Sequence, residues 1–396
     1  MPVFRTPLMS RLLLLSVAIV LSLSLGETLL AQSESENDGE RLELRDGDRI
    51  ALIGGTFIER TQYHGYFELA IQIANPDKKL AIRNLGWSGD EATAISRARF
   101  GDQKEGYNHL MKSVDLVNPT VILVGYGTNE AFQGEAGLES FKANYTKLLD
   151  DLQKKTERIV LITPPLMEKH PAPLPDPAAY NANVKLYQQA IKQLAYDRGY
   201  QSLDLTELSG DITKVTAEKL PQYLTSNGQH FTNVGYWYLS QKMADLLGFE
   251  TTYDHTVSAA GELSGNWDLP YPRSPTGEYQ DRIVLHVEGL SAGEHTIGVN
   301  DYPKVAASAA QWDKSVQVPA KPLMEKTEEL RQAILRKNQL FFDRFRPQNE
   351  TYLYLFRKHE QGNNAVEIPQ FDPLIEEQDQ KIFELKQAVP VTVHID

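Results

Sequence analysis

Apolar residues along this chain follow two regimes. Up to about residue 248, short, near-continuous apolar runs alternate with stretches in which apolar residues recur every three or four positions. The runs cover residues 50–53, 80–82, 120–124, 159–162 and 202–205. Strands buried on both faces of a parallel sheet read this way, whereas a sheet with one wet face alternates. Helical spacing is clear in Leu138, Phe141, Tyr145, Leu148 and Leu152, and again in Val184, Tyr187, Ile191 and Leu194. Strand and helix in alternation imply right-handed crossovers and a doubly wound sheet of five parallel strands over residues 43–250. In such sheets the ligand site lies beyond the carboxyl ends of the strands. Two blocks directly follow strands and so belong on that rim: Gly54-Gly55-Thr56-Phe57, and Gly125-Tyr126-Gly127-Thr128-Asn129.

Residues 251–396 read as a separate β-plus-helical module. Residues 264–276 are rich in Gly, Pro and Ser and predict a loop. Residues 283–287 and 296–299, joined across 289–295, predict a β-hairpin. A helix is expected from Pro322, with Leu330, Ile334, Phe341 and Phe345 on one stripe, and another over 373–387, with Ile375, Ile382 and Leu385 inward. Residues 391–395 return as a strand.

The N-terminus adds a compartment. Arg5 and Arg11 precede an uninterrupted run of apolar residues and serines over 12–25, with small residues at Gly26 and Ala31. Residues 1–31 therefore predict an export signal, or else an uncleaved N-terminal anchor. Residues 32–42 predict a polar, disordered leader. Export makes the expected location periplasmic or extracellular. A formal net charge of −13 argues against nucleic-acid partners and anionic lipid surfaces. The absence of cysteine excludes disulfides, thiolate metal sites and cysteine nucleophiles.

Candidate chemistry lies in four ordered blocks. Besides the two on the rim, these are Asn84-Leu85-Gly86-Trp87-Ser88-Gly89 and Asn227-Gly228-Gln229-His230, the last followed by Phe231-Thr232-Asn233-Val234-Gly235-Tyr236. Their order and content resemble the SGNH (GDSL-type) hydrolases, named for their Ser, Gly, Asn and His. The resemblance implies a three-layer α/β/α fold, no cofactor, and hydrolysis of ester bonds, with carbohydrate O-acyl esters as the expected substrates. By matching position it implies Thr56 as nucleophile, His230 as base, Asn227 as the residue orienting it, and Gly86 and Asn129 as oxyanion donors. Four positions depart from the family pattern. Thr56 replaces serine, Gly55 replaces the aspartate of the GDS motif, Glu130 replaces an aspartate, and Asn227 replaces the triad aspartate. Threonine keeps the hydroxyl but adds a crowding, rotamer-restricting methyl. Asparagine can accept a hydrogen bond from histidine but cannot stabilise an imidazolium by charge. Two alternatives therefore stay open: Thr56 as a helix N-cap, and a catalytically silent module that binds polysaccharide or a partner protein.

The stretch from Arg344 to Asn364 is dense in cations and amides. Arg346, Arg357 and His359 are candidate substrate-binding groups, the alternative being that they pin a loop to the main domain. His359-Glu360 lacks a second histidine at ligand spacing, so no metal is expected.

Overall fold

The computed structural model describes residues 41–206, 223–249, 254–261, 263–272, 275, 281–360 and 364–396. The expected signal at 1–31, and all but the last two residues of the leader at 32–42, lie outside these. The central sheet contains β1 (Arg49–Gly54), β2 (Ala81–Asn84), β3 (Val121–Gly125), β4 (Ile159–Ile162) and β5 (Gln201–Leu203). Its order is β2-β1-β3-β4-β5, with every neighbouring pair parallel. The near-continuous apolar runs are explained by burial on both sides. On one face Ile53, Val124 and Leu161 meet α3 (Gln103–Val117), α4 (Leu138–Gln153) and α5 (Ala178–Arg198) through Leu110, Leu148 and Ile191. On the other, Leu52, Leu123 and Ile162 meet α1 (Thr56–His64), α2 (Tyr66–Ile73) and α6 (Asn233–Leu247) through Ile58, Ile71 and Met243. The three-layer α/β/α architecture is thus present as expected.

Beyond residue 250 the strands pair differently from expectation. β6 (Asp254–Ser258), β8 (Arg282–Glu288) and β11 (Val316–Pro319) form one sheet. β7 (Ser264–Trp267), β9 (Glu294–Val299), β10 (Val305–Ser308) and β12 (Val389–Ile395) form a second. The expected hairpin between 283–287 and 296–299 is therefore corrected, because those strands lie in different sheets. Ile283, Leu285 and Val287 share one apolar core with Ile297 and Val299, so burial sets the two strands in different layers of that core. The hairpin instead joins β9 to β10. Residues 264–267, expected as loop, pair with the returning strand β12, which also pairs with β9 as an added central strand.

Helix α7 (Ala309–Lys314) precedes α8 (Lys321–Phe345); short α9 (Glu350–Leu353) and α10 (Phe371–Leu385) follow. The predicted stripe on α8 divides between two cores. Leu330 and Ile334 join the β core, together with Tyr66 and Trp237. Phe341 and Phe345 join the core of the central sheet, alongside Ile375 of α10. Between them Lys337 is fully buried, its Nζ donating to Glu68 Oε2 (2.7 Å), Ile82 O (2.6 Å) and Asn338 Oδ1 (2.8 Å). This helix places the chain just beyond it, at Arg346, against the rim.

Candidate active site

The rim is built where β1 stops. Gly54 ends the strand, Gly55 takes the N-cap position in extended conformation, and Thr56 is the first residue of α1. A Cβ on Gly55 would stand 3.0 Å from the carbonyl oxygen of Asp90, which accounts for glycine where the family pattern has aspartate. The Thr56 hydroxyl does not cap its own helix. It accepts the N–H of Gly89 at 2.8 Å. Thr56 is thus turned outward over the helix N-terminus, where unpaired N–H groups and the positive end of the dipole favour developing negative charge.

Gly86 and Gly89 have different tasks, and the expected one is reassigned. The Gly86 N–H donates to Asn84 Oδ1 at 2.8 Å, within a buried network that also ties Asn84 Nδ2 to Ile58 O and Thr61 Oγ1. A Cβ at Gly86 would lie 2.3 Å from Glu59 N, so glycine is there to let α1 pack directly on this loop. Its N–H is unavailable to an oxyanion. Gly89, with φ of 70°, turns its own N–H to Thr56 instead. The motif held two glycines three apart, and nothing in their spacing distinguished the packing glycine from the donor.

Asn129 stands at the other side of the cavity and uses one amide hydrogen on Asp90 O at 3.3 Å. Glu130, next in sequence, braces both loops: its Oε1 accepts Ala92 N–H (2.9 Å) and its Oε2 accepts Gly127 N–H (3.0 Å). Burial pushes its carboxyl up to about 7, against those two donors.

His230 comes from the loop before α6 and lines the same cavity as Thr56 and Asn129. Burial, followed by the charge of Arg60, lowers its pKa below the ordinary imidazole value, which favours the neutral ring. Among the described residues, no hydrogen bond joins it to Thr56. The contact with Asn227 is the reverse of the expected one. Asn227 Oδ1 already accepts the backbone N–H groups of His230 (2.8 Å) and Gln229 (3.2 Å). Its Nδ2 is therefore the atom 3.3 Å from His230 Nδ1. An amide nitrogen only donates, so Nδ1 accepts and the ring proton sits on Nε2.

The cavity of about 60 Å³ is also lined by Arg60, Gln229, Tyr180 and Met167. Arg60 and Gln229 were not singled out in the sequence, although Arg60 stands four residues after Thr56 and Gln229 adjoins His230. The C-terminal candidates separate. Arg346 Nη1 pairs with Glu59 Oε1 at 2.9 Å, and its guanidinium lies 3.6 Å from the centre of the Trp87 ring. Glu59 also accepts from the Ser88 hydroxyl. Arg346 therefore grips the loop that carries Gly89 without lining the cavity. Arg357 pairs with Glu360 and covers Tyr352, and His359 is exposed; neither lines the cavity. Among the described residues, no group of three or more acidic or histidine side chains could hold a metal ion.

Residues 52–238 match the model of the GDSL-like lipase/acylhydrolase family. The chain carries a GDSL-like hydrolase domain. That match supports an ester-hydrolase activity. Comparison with curated proteins gives no match. Among solved structures, a gut microbial diltiazem-metabolizing enzyme overlays with a TM-score of 0.63 at 15% identity, over 91% of this chain and 99% of the other. That overlay extends past the GDSL-like domain, so the added strands and helices belong to a shared architecture. The acetylxylan esterase of Geobacillus stearothermophilus aligns at 17% identity over 53% of this chain and 98% of its own, with a TM-score of 0.41.

Proposed function

We propose that the GDSL-like domain hydrolyses short acyl esters with the Thr56 hydroxyl as nucleophile. The observation that carries this is the bond from the Gly89 N–H to Thr56 Oγ1, made at a helix N-terminus in a cavity shared with His230 and Asn129. Thr56 Oγ1 attacks the acyl carbon while its proton passes to His230 Nε2. As Oγ1 bonds to the acyl carbon the Gly89 N–H is released from it, and it then holds the tetrahedral oxyanion together with the second amide hydrogen of Asn129. The alcohol leaves with the proton, and water then releases the acid from the threonyl ester by the same route. Proton acceptance at Nε2 needs the ring tautomer with hydrogen on Nδ1, which Asn227 disfavours. The rate is accordingly modest, limited by the small population of competent rings.

The acyl group is short, to which a cavity of about 60 Å³ is suited. The alcohol is a carbohydrate. Phe132, 61% exposed, packs 4.4 Å from Tyr180 of the cavity wall, and its exposed ring offers a face for a sugar. The N-terminal pattern over 1–31 supports export, so the substrate is met outside the cytoplasm. Turnover of 4-nitrophenyl acetate tests the reading: Thr56→Val and His230→Ala should each abolish it. Equal rates in all three proteins would leave the cavity a binding site for polysaccharide.

A further inference from the structure

Arg60 follows Thr56 by four residues on α1. That spacing puts two side chains on one helix face with Cβ atoms about 5–6 Å apart. Arg60 therefore lies one turn below the nucleophile position, and it lines the same cavity. The other arginines around this rim face carboxylates: Arg97 pairs with Asp90, Arg99 with Glu350 and Arg346 with Glu59. Among the described residues Arg60 faces none, and its Nε is buried with no hydrogen-bond partner. Glu59, its neighbour in sequence, is already taken on one oxygen by Arg346 and on the other by Ser88. The Tyr236 hydroxyl gives its own proton to Phe57 O at 3.0 Å and accepts from Arg60 on its free lone pair, but it is neutral and leaves the guanidinium without a counter-charge. A second donor in the cavity wall is in the same condition, because Gln229 Nε2 is also buried and unpartnered.

Buried donors in folded proteins nearly always find acceptors, and a partly desolvated cation without a counter-charge is costly. Two such donors in one small cavity mark a site completed by a ligand. A carboxylate answers both, since its oxygens take a guanidinium in fork geometry and still accept from an amide. We propose that Arg60 and Gln229 form a carboxylate-binding subsite, so that the ester substrate carries a carboxylate about one helical turn from the scissile carbonyl. The inference rests on the hydrolytic reading above and narrows its substrate class to acidic esters. Arg60 also acts on His230, whose basicity it depresses. A bound carboxylate offsets that positive charge when substrate is present.

Two substrate pairs locate the carboxylate. The first sets 4-nitrophenyl hemisuccinate against 4-nitrophenyl butyrate, with the charge on the acyl side. The second sets 4-acetoxybenzoate against 4-acetoxybenzamide, with the charge on the alcohol side. In one pair the wild-type protein should favour the anionic member by about tenfold or more in kcat/KM, relative to Arg60→Gln. Arg60→Lys should keep part of the preference and Gln229→Ala should weaken it. A wild-type protein with no charge preference in either pair, or an Arg60→Gln protein that retains it, overturns the subsite. If none of the four esters is turned over, calorimetric titration with succinate decides. Binding by wild type that is lost in Arg60→Gln keeps the subsite while removing the hydrolytic reading, and no binding by wild type removes the subsite.

Discussion

Asn227 presents its amide nitrogen, not its carbonyl oxygen, to Nδ1 of His230. The cause is local, because two backbone N–H groups of the same turn already occupy the oxygen. An aspartate here would keep those bonds with one oxygen and offer the other as acceptor to Nδ1–H. Asn227→Asp should therefore raise kcat for aryl acetate hydrolysis, on the order of 10²-fold. That is below the roughly 10⁴ lost when a triad aspartate becomes asparagine. Unchanged kcat in the aspartate variant would mean that His230 is not the proton acceptor.

Thr56 offers a second lever. Thr56→Ser removes only the methyl, so activity should persist or rise. Thr56→Val keeps the shape and removes the acceptor of the Gly89 N–H, and hydrolysis should vanish. Single-turnover experiments with 4-nitrophenyl acetate should also leave a mass increment of one acetyl group on residue 56, in the wild type and in the serine variant. Hydrolysis that survives in the valine variant would point to direct attack by water.

Arg346 reaches the reaction through its stack on Trp87 and through Glu59, which accepts from Ser88, the residue before Gly89. Its removal should loosen the loop that carries the Gly89 N–H. Arg346→Ala is expected to lower kcat about tenfold, roughly 1.4 kcal/mol, with KM little changed. Arg346→Lys should restore little of this, since lysine lacks the planar stack on Trp87. A change confined to KM would instead make Arg346 a substrate contact.

The pH dependence of turnover should report His230. Only the neutral ring can accept a proton, and burial together with Arg60 lowers its pKa. The acidic limb of kcat/KM for a neutral ester should therefore fall below about 6.5, the ordinary histidine value. Arg60→Gln removes a repulsive charge from the imidazolium, which raises the pKa and moves the limb to higher pH. A shift in the opposite direction would contradict the assigned cause.

Lys337 holds α8 to the sheet from inside. Replacing one member of a buried pair strands the other, so Lys337→Met should cost about 3–5 kcal/mol in urea unfolding. Truncation near residue 255 should do more, by uncovering the apolar surfaces on which Leu330, Ile334, Phe341 and Phe345 pack. Low solubility of the truncated protein is the expected result; a soluble fragment of equal stability would contradict it.

The sheet was legible because burial on both faces writes continuous apolar runs, and the five runs match β1 to β5 closely. The C-terminal strands were harder to place. Inward-facing residues of two opposed layers, such as Leu285 and Ile297, alternate just as hairpin partners do. Thr56, Asn129 and His230 could be picked out because their motif blocks stand in order along the chain, and all three line one cavity. Gly89 was hidden by its neighbour Gly86, since the sequence does not say which backbone N–H is already taken. The direction of the Asn227–His230 bond depends on which oxygen the turn consumes, a fact of three dimensions. Arg60 stood in plain sight, but only the absence of a carboxylate around it among the described residues gives it meaning.

The seat of Arg346 on Trp87 and Glu59 bears on inheritance and engineering. A hydrolase whose reactive loop is gripped at Trp87 by a residue 259 positions away (346 − 87) cannot be cut out and pasted as a cassette ending at residue 238. Shuffling the tail between relatives would transplant the loop's stiffness along with it. The three residues should therefore be traded together or left alone.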